Sequence, residues 1–193
     1  MNIIDLLNKE EKKHIVYRNL SKGDVLFWEN DICRYIGIVC KGEVSIISYL
    51  DDGKEIIYNT IRIEGIFGNN LLFSSDPYYK GDIIADNDSL IGLISKDDLL
   101  TILEKNRSFL MEYLKIQSDS SKALNNRIRL LSIPSAEERF RFYMHENRNK
   151  ISYDSIEHLA RKMYLSRETL ARLLSRLESN NSIIRENKVI ILK

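Results

Sequence analysis

Three charged side chains near the C-terminus are spaced as base-reading groups on one face of a helix. Arg167, Glu168 and Arg172 lie at relative positions i, i+1 and i+5, so a helix that begins after Ser166 presents them together. An arginine can donate to O6 and N7 of guanine at once, and a glutamate can accept from N4 of cytosine. These residues indicate a helix that reads the major groove of DNA. The alternative is that they only solvate an exposed helix.

Two short helices are predicted to position these side chains. Ser155 is a candidate N-cap, and Ile156, Leu159 and Met163 follow it at helical spacing. Ser166 is a second N-cap candidate. The helix after it carries a leucine stripe at intervals of three and four residues: Leu170, Leu173, Leu174 and Leu177. Two short helices, a tight break and arginines in the first turns of the second helix are typical of a helix-turn-helix.

The charge of the chain is divided unevenly, although its net value is only +1. Residues 125–193 contain 14 Lys and Arg against 8 Asp and Glu, which gives +6, and residues 1–124 contain 15 against 20, which gives −5. A basic C-terminal part attracts the phosphate backbone, whereas an acidic N-terminal part is a poor DNA surface. Lys162 and Arg176 are candidate phosphate contacts on the basic part.

The composition is that of a soluble globular protein, with 44% hydrophobic and 30% charged residues in a chain of 193. No apolar run approaches the roughly 18 residues of a membrane helix, and the N-terminus lacks a signal-peptide layout, which predicts a cytoplasmic protein without a membrane partner. Cys33 and Cys40 match no zinc or iron–sulfur spacing and are predicted to be buried thiols in a strand. No cofactor or metal is predicted, although a ligand role for His145 or Cys33 in a site assembled by the fold stays open.

Short β-type runs separated by turns fill the region from residue 15 to about residue 94, after a short helix within residues 2–14. The turn signals contain Gly23, Gly42, Gly53, Gly65 and Pro77. The runs cover residues 25–28, 35–39, 44–47, 56–61, 83–84 and 90–94. Many short strands at nearly regular spacing predict a sandwich or a small barrel.

A helical pattern begins at Lys96 and continues for about 35 residues. Its main stripe alternates steps of four and three, as the seam of a coiled coil does: Leu110, Leu114, Gln117, Ser121, Leu124, Ile128 and Leu131. A helix of about 25 residues is roughly 37 Å long, too long for a small domain to bury. The pattern therefore predicts pairing with a second copy of the chain. The alternative is that the stripe packs only on its own β-domain.

The C-terminal part also contains a further helix and a hairpin. Pro134 ends the long helix, and Ser135 with Glu138 fits a capping box that opens the next one. After residue 178, two apolar runs at residues 183–185 and 189–192 flank Glu186-Asn187-Lys188, which predicts a β-hairpin wing. The last 60 residues are therefore predicted to be a winged helix-turn-helix.

The order of these pieces resembles the family of bacterial transcription regulators that includes the cyclic AMP receptor protein and FNR. The resembling segments lie at residues 22–26, 41–44, 52–55, 65–68, 95–99, 159–160 and 165–172. The resemblance implies an α+β fold: an N-terminal β-roll (double-stranded β-helix, cyclic-nucleotide-binding-like) over residues 1–100, a long central dimerisation helix over 101–133, and a C-terminal winged helix-turn-helix over 134–193.

The same resemblance implies a homodimeric, sequence-specific DNA-binding transcription regulator. Its palindromic double-stranded site is expected to have TGTGA-like half-sites, and RNA polymerase is a further expected partner. By resemblance, Ser155, Ser166 and Thr169 contact phosphate, beside the base readers Arg167, Glu168 and Arg172. The family usually has glycine where this chain has Tyr164, so the backbone of the turn is expected to differ slightly. An enzyme is the rival reading, but no catalytic nucleophile, carboxylate pair or phosphate-binding glycine loop supports it.

The effector pocket departs from the family pattern. Members that bind cyclic nucleotides have a Glu just after the glycine that corresponds to Gly68, and an Arg-Ser pair before the next strand. Here these segments read Asn69-Asn70 and Tyr79-Lys80. A buried phosphate without a fixed counter-charge is costly, so no cyclic AMP binding is expected. An unknown small molecule stays open as the controlling ligand, in a pocket of Asn69, Asn70, Tyr79, Lys80, Gln117 and Ser121, with unliganded core and interface as the simpler reading.

Overall fold

The computed structural model describes residues 2–193 and has an α+β architecture. By its internal contacts the chain forms two compact units, one that extends to Ser118 and one that covers Asp119–Lys193. The first unit contains two β-sheets and the second a helical cluster with a small sheet. Each unit has a hydrophobic core of its own.

Eight strands form the first unit, and all six predicted β-type runs are strands. The bounds are β1 Val16–Leu20, β2 Val25–Phe27, β3 Tyr35–Lys41, β4 Glu43–Tyr49, β5 Glu55–Arg62, β6 Ile66–Phe67, β7 Asp82–Ala85 and β8 Ser89–Ser95. They make two four-stranded antiparallel sheets with the orders β1-β8-β3-β6 and β2-β7-β4-β5. Isoleucine and valine side chains from β3, β4, β7 and β8 meet in one shared core. This is the predicted β-roll.

Strand β1, like the two-residue strand β6, was not among the predicted runs. Its first four residues are exposed, because it pairs only with β8 at the edge of its sheet. An exposed edge strand needs few apolar residues, so its sequence carries a weak pattern. The predicted N-terminal helix is also different: residues 2–14 contain two 3-10 helices, Ile3–Leu6 and Glu11–His14.

The helical region after the β-roll is divided into two helices. Helix α1 covers Lys96–Lys105, and helix α2 covers Arg107–Ser132, the long helix of about the predicted length. Asn106 separates them with an extended backbone (φ −114°, ψ 92°), and its side-chain oxygen accepts from the Phe109 amide at 3.0 Å. The same side chain donates to the Leu6 carbonyl and the Glu11 carboxylate, both at 2.9 Å. A single amide thus caps α2 and holds the N-terminal segment.

The second unit contains the remainder of α2 and six further elements. Their bounds are α3 Ala136–Glu146, β9 Lys150–Ser152, α4 Ile156–Lys162, α5 Arg167–Ser179, β10 Ile183–Glu186 and β11 Val189–Leu192. The predicted cap of α3 is confirmed by the Ser135 hydroxyl, which accepts from the Glu138 amide at 3.4 Å. The three strands form an antiparallel sheet in the order β10-β11-β9. Phe140 and Met144 of α3 are fully buried against α4 and α5.

The predicted hairpin is present, with a two-residue turn. β10 and β11 pair from Ile183 with Leu192 to Glu186 with Val189. The turn residues Asn187 and Lys188 both have positive φ, 48° and 59°. A turn of this kind twists in the same sense as the strands it joins, and asparagine tolerates its first position well.

The two cysteines are free and differ in environment. Cys33 is buried, but it lies in the loop before β3 and not in a strand as predicted. Cys40 lies within β3 and is half-buried. Among residues 2–193, no group of three or more His, Cys, Asp or Glu side chains is placed to hold a metal ion. No helix within the same range combines the length and apolar character needed to cross a membrane.

Strand β3 depends on a glycine that faces an aromatic ring. Gly37 pairs with Phe67 across β3 and β6, and a Cβ atom at Gly37 would lie 1.9 Å from the tip of that buried ring. We expect Gly37→Ala to lower the free energy of unfolding by about 1–3 kcal/mol, because the ring must leave its place in a close-packed core. Urea unfolding measures the change.

The smaller side chain in Phe67→Leu leaves room for the added methyl group. We therefore expect Phe67→Leu to cost less in the Gly37→Ala background than in the wild type. A Gly37→Ala protein that unfolds at the wild-type urea midpoint would show that the ring does not constrain this position.

Candidate nucleic-acid interface and effector region

Helices α4 and α5 both begin at the predicted serine caps. The Ser155 hydroxyl accepts from the His158 amide at 3.1 Å, and the Ser166 hydroxyl accepts from the Thr169 amide at 3.1 Å. Each bond satisfies an amide that has no partner inside its helix, which fixes where the helix starts. The start of α5 is important because Arg167 is its first residue.

The turn between α4 and α5 is a Schellman motif with a tyrosine at its left-handed position. The Leu165 amide donates to the Ala160 carbonyl at 3.0 Å, and the Tyr164 amide donates to the Arg161 carbonyl at 3.1 Å. Tyr164 has φ 54°, which for a residue with a side chain costs about 1–2 kcal/mol relative to a right-handed conformation. The backbone at Tyr164 thus takes the conformation that glycine favours, despite the tyrosine side chain.

The leucine stripe of α5 is confirmed as the buried face of the helix. Leu170, Leu174 and Leu177 are fully buried and Leu173 is nearly so, in a core with Leu159, Ala160 and Met163 of the α4 region. Because the helix repeats every 3.6 residues, this fixes the opposite side towards solvent. Arg167, Glu168 and Arg172 are all exposed there, and we refer to these three residues as the reading face.

The reading face carries an ionised carboxylate between two guanidinium groups. Hydrogen bonds from its own backbone amide and from the Ser166 hydroxyl lower the pKa of Glu168, and Arg167 and Arg172 act in the same direction. A negative charge in the first turn also suits the positive end of the helix dipole. The Arg172 Nε atom donates to the backbone carbonyl of Glu168 at 3.4 Å, which holds the start of the Arg172 side chain against the preceding turn of the helix.

The five candidate phosphate contacts lie in different settings. Ser155 and Ser166 cap helices, and the Thr169 hydroxyl accepts from Ser166 at 3.0 Å. Lys162 is exposed at the end of α4, and its ammonium group has no ion-pair partner within residues 2–193. Arg176 instead binds the Glu137 carboxylate of α3 at 2.6 Å, so a phosphate would have to compete with that carboxylate.

Several arginines of the second unit contact protein groups, which the sequence analysis did not anticipate. Arg139 of α3 donates to the Ile133 carbonyl at 2.5 Å and to the Tyr164 carbonyl at 3.1 Å. Arg127 of α2 lies 5.3 Å from the centre of the Tyr164 ring, and Arg129 lies 4.6 Å from that of Phe142. Apart from Ile133, these partners lie 13 or more residues away in the chain, so no local pattern could have indicated them.

In the first unit, one pair of the predicted pocket residues is joined directly. The Asn69 side chain donates to the Gln117 side-chain oxygen at 2.8 Å, and the Gln117 side chain donates back to the Asn69 carbonyl at 2.8 Å. The Gln117 amide also donates to the Tyr113 hydroxyl at 2.9 Å. These bonds tie the corner at residues 68–70 to the first half of α2.

The other predicted pocket residues are separate from that pair. The Tyr79 ring is buried and stacks on Phe27 with 5.0 Å between centres, and its hydroxyl has no hydrogen-bond partner among residues 2–193. Burial raises the pKa of Tyr79 and of the Cys33 thiol beside it, so both stay neutral. Lys80 is exposed and binds the Asp76 carboxylate at 2.8 Å. Asn70 and Ser121 are exposed.

Two surface cavities of about 400 and 440 Å³ lie on either side of residues 32–35. Arg34, Tyr35 and Ile32 line both of them. Neither is lined by a residue of the predicted effector pocket.

The predicted coiled-coil stripe of α2 is largely exposed in the single chain. Leu114, Leu124, Ile128 and Leu131 are between 48% and 58% exposed. Gln117 at the centre of the stripe is half-buried through its bonds to Asn69 and Tyr113. Four large apolar side chains along one helix are therefore left uncovered by their own chain.

Comparison with known proteins agrees with this architecture. Residues 17–106, just under half of the chain, match the family model of the cyclic nucleotide-binding domain. No curated protein matches at a significant level.

Solved structures of transcription regulators share the fold at low identity. The catabolite activator protein of Thermus thermophilus is 16% identical, with a TM-score of 0.58 over 100% of this chain and 94% of that one. A CooA mutant from Carboxydothermus hydrogenoformans is 20% identical, with a TM-score of 0.66 over 100% and 92%. The c-di-GMP responsive global regulator CLP of Xanthomonas campestris is 18% identical, with a TM-score of 0.55 over 98% and 97%.

These matches confirm the resemblance that the sequence motifs indicated. Residues 17–106 match the cyclic nucleotide-binding domain, and the chain shares its fold with the catabolite activator protein and CooA structures.

Proposed function

We propose that the protein is a homodimeric transcription regulator that reads a palindromic DNA site through the major groove. The observation that carries the proposal is the reading face, held outward by a buried leucine stripe on the opposite side of α5. In this reading α4 and α5 are a helix-turn-helix, and the β10–β11 hairpin is its wing. Residues 1–100 act as a sensor-like β-roll, 101–133 as the dimerisation helix and 134–193 as the DNA-binding domain, with RNA polymerase as a further partner.

The exposed stripe of α2 supports pairing of two chains. A row of apolar side chains at steps of three and four buries well against its own copy in a coiled coil. Two-fold symmetry then presents two reading faces, and a palindrome with half-sites about 34 Å apart matches them. The basic balance of the C-terminal part favours the phosphate backbone over the acidic N-terminal part.

A second candidate is a sensor in which an unknown small molecule controls DNA binding. The cyclic nucleotide-binding domain at residues 17–106 favours it, because such domains hold ligands in the β-roll. Against a nucleotide ligand stand the Asn69–Gln117 pair, the neutral Tyr79 and the Lys80–Asp76 ion pair. We therefore propose a degenerate pocket that does not take cyclic AMP.

The reading face is tested by alanine substitution in a gel-shift series. Arg167→Ala and Arg172→Ala are each expected to cost about 1–3 kcal/mol on the preferred TGTGA-containing palindrome and to relax the choice of base at one position. Lys162→Ala, as a phosphate contact, is expected to weaken binding to all sequences alike and to lower the salt slope by about one. Equal losses on all sequences for the two arginine variants would contradict base reading.

Dimerisation is tested with a charge on the stripe. Leu124→Lys is expected to give monomers in sedimentation equilibrium, because an ammonium group cannot be buried without a partner in the seam. Met111→Lys is the matched control, since Met111 is 57% exposed but lies about 100° around the helix from Leu110. The control Met111→Lys is expected to sediment as the wild type does. If Leu124→Lys also sediments like the wild type, the stripe does not join two chains.

Cyclic AMP binding is tested by calorimetric titration of the full-length protein. No heat of binding is expected at nucleotide concentrations up to about 1 mM, because Tyr79-Lys80 stands where the family has its Arg-Ser pair and Lys80 is already paired with Asp76. Non-cyclic AMP serves as the control for weak general nucleotide binding. A micromolar dissociation constant for cyclic AMP alone would contradict the degenerate pocket.

A further inference from the structure

We infer that Arg127, Arg139 and Tyr164 form a clamp that fixes the turn before α5 to the C-terminal end of α2, and that they are positioning residues for DNA reading. We refer to these three residues as the turn clamp. The inference rests on the proposed function, because positioning has a consequence only if α5 reads DNA.

The first part of the turn clamp is a pair of hydrogen bonds that Arg139 donates to two backbone carbonyls. One nitrogen of its guanidinium group binds the Ile133 carbonyl, directly after the last residue of α2, and another binds the Tyr164 carbonyl in the turn. The planar arginine fork holds two acceptors in a fixed geometry better than a lysine can. Arg139 thus sets the position of the turn relative to the end of α2.

The second part is the contact between Arg127 and the Tyr164 ring. Arg127 lies on α2 itself, and its guanidinium carbon is 5.3 Å from the ring centre, within the range of a cation–π interaction. Glycine at position 164 would take the left-handed conformation without strain, but it would offer no ring to Arg127. The tyrosine thus adds a side-chain contact with α2 that the backbone conformation of the turn does not itself require.

The turn is the point where a shift in α2 reaches the reading face. Tyr164 is two residues before the cap Ser166 and three before Arg167. The leucine stripe makes α4 and α5 one packed body, so a tie at the turn moves the reading face with α2. In a dimer joined through α2, the turn clamp would therefore help to set the distance between two reading faces.

The test compares binding to two palindromes that differ only in spacer length. One duplex carries TGTGA half-sites at the preferred separation, and the other has one extra base pair between them. We expect Arg127→Gln and Tyr164→Gly each to lower the affinity ratio between the two duplexes about three- to fivefold. The double variant is expected to lower it no further than one single variant, because both remove the same contact.

Arg129→Gln is the matched control. Arg129 lies on the same helix, loses the same charge and also contacts a ring, but its partner is Phe142 of α3 and not the turn. It is expected to leave the affinity ratio unchanged. Tyr164→Gly is expected to keep or raise the thermal midpoint, since it relieves backbone strain, so a loss of discrimination in that variant cannot reflect unfolding. Wild-type affinity ratios in Arg127→Gln, in Tyr164→Gly and in the double variant would overturn the inference.

A DNA-free measurement separates this inference from the proposed function. Hydrogen exchange followed by mass spectrometry reports the Tyr164 and Leu165 amides, which bond within the turn. Arg127→Gln is expected to speed their exchange, and Arg129→Gln is not. Unchanged exchange in Arg127→Gln would overturn the turn clamp, whereas a wild-type protein that binds neither duplex would overturn the proposed function and the role of the turn clamp in DNA reading.

Discussion

The burial of four leucines on one side of α5 is the constraint on which the proposed DNA-binding surface depends. Leu170, Leu173, Leu174 and Leu177 have no place except the core of the second unit, because exposing them would cost several kcal/mol in total. Because the helix repeats every 3.6 residues, the residues on its opposite face must then point to solvent. The serine cap before Arg167 fixes where the helix begins, so the cap and the stripe together set both the direction and the position of the reading face.

The basic side chains of the C-terminal part lie in two kinds of environment. Arg167, Arg172 and Lys162 are exposed to solvent, where in the proposed function they would attract the phosphate backbone. Arg127, Arg129, Arg139 and Arg176 are instead engaged with rings, carbonyls and a carboxylate of the same unit. A net charge therefore overstates the surface available to DNA, because arginine is also the side chain that best joins carbonyls, carboxylates and aromatic faces.

Partly buried polar side chains of the β-roll find hydrogen-bond partners within the same chain. Asn69 and Gln117 exchange two hydrogen bonds, which removes the cost of leaving either amide unpaired near the core. Separately from that pair, the buried Tyr79 ring stacks on Phe27. In the proposed function, these contacts at the corner after Gly68 are one reason why a domain that matches the cyclic nucleotide-binding family would not take cyclic AMP.

The amino-acid sequence by itself determined the elements and their faces. Six strands, the long helix, the caps Ser135, Ser155 and Ser166, and the leucine stripe all follow from interactions between residues close in the chain. These features can be recognised over a few neighbouring residues, from the spacing of apolar side chains and from capping residues. Only the tertiary structure decided the edge strand β1, the pairing of Arg176 with Glu137, the Asn69–Gln117 bonds and the contacts of Arg139. Those depend on groups that folding brings together from distant segments, and a single sequence carries no period or spacing that specifies them.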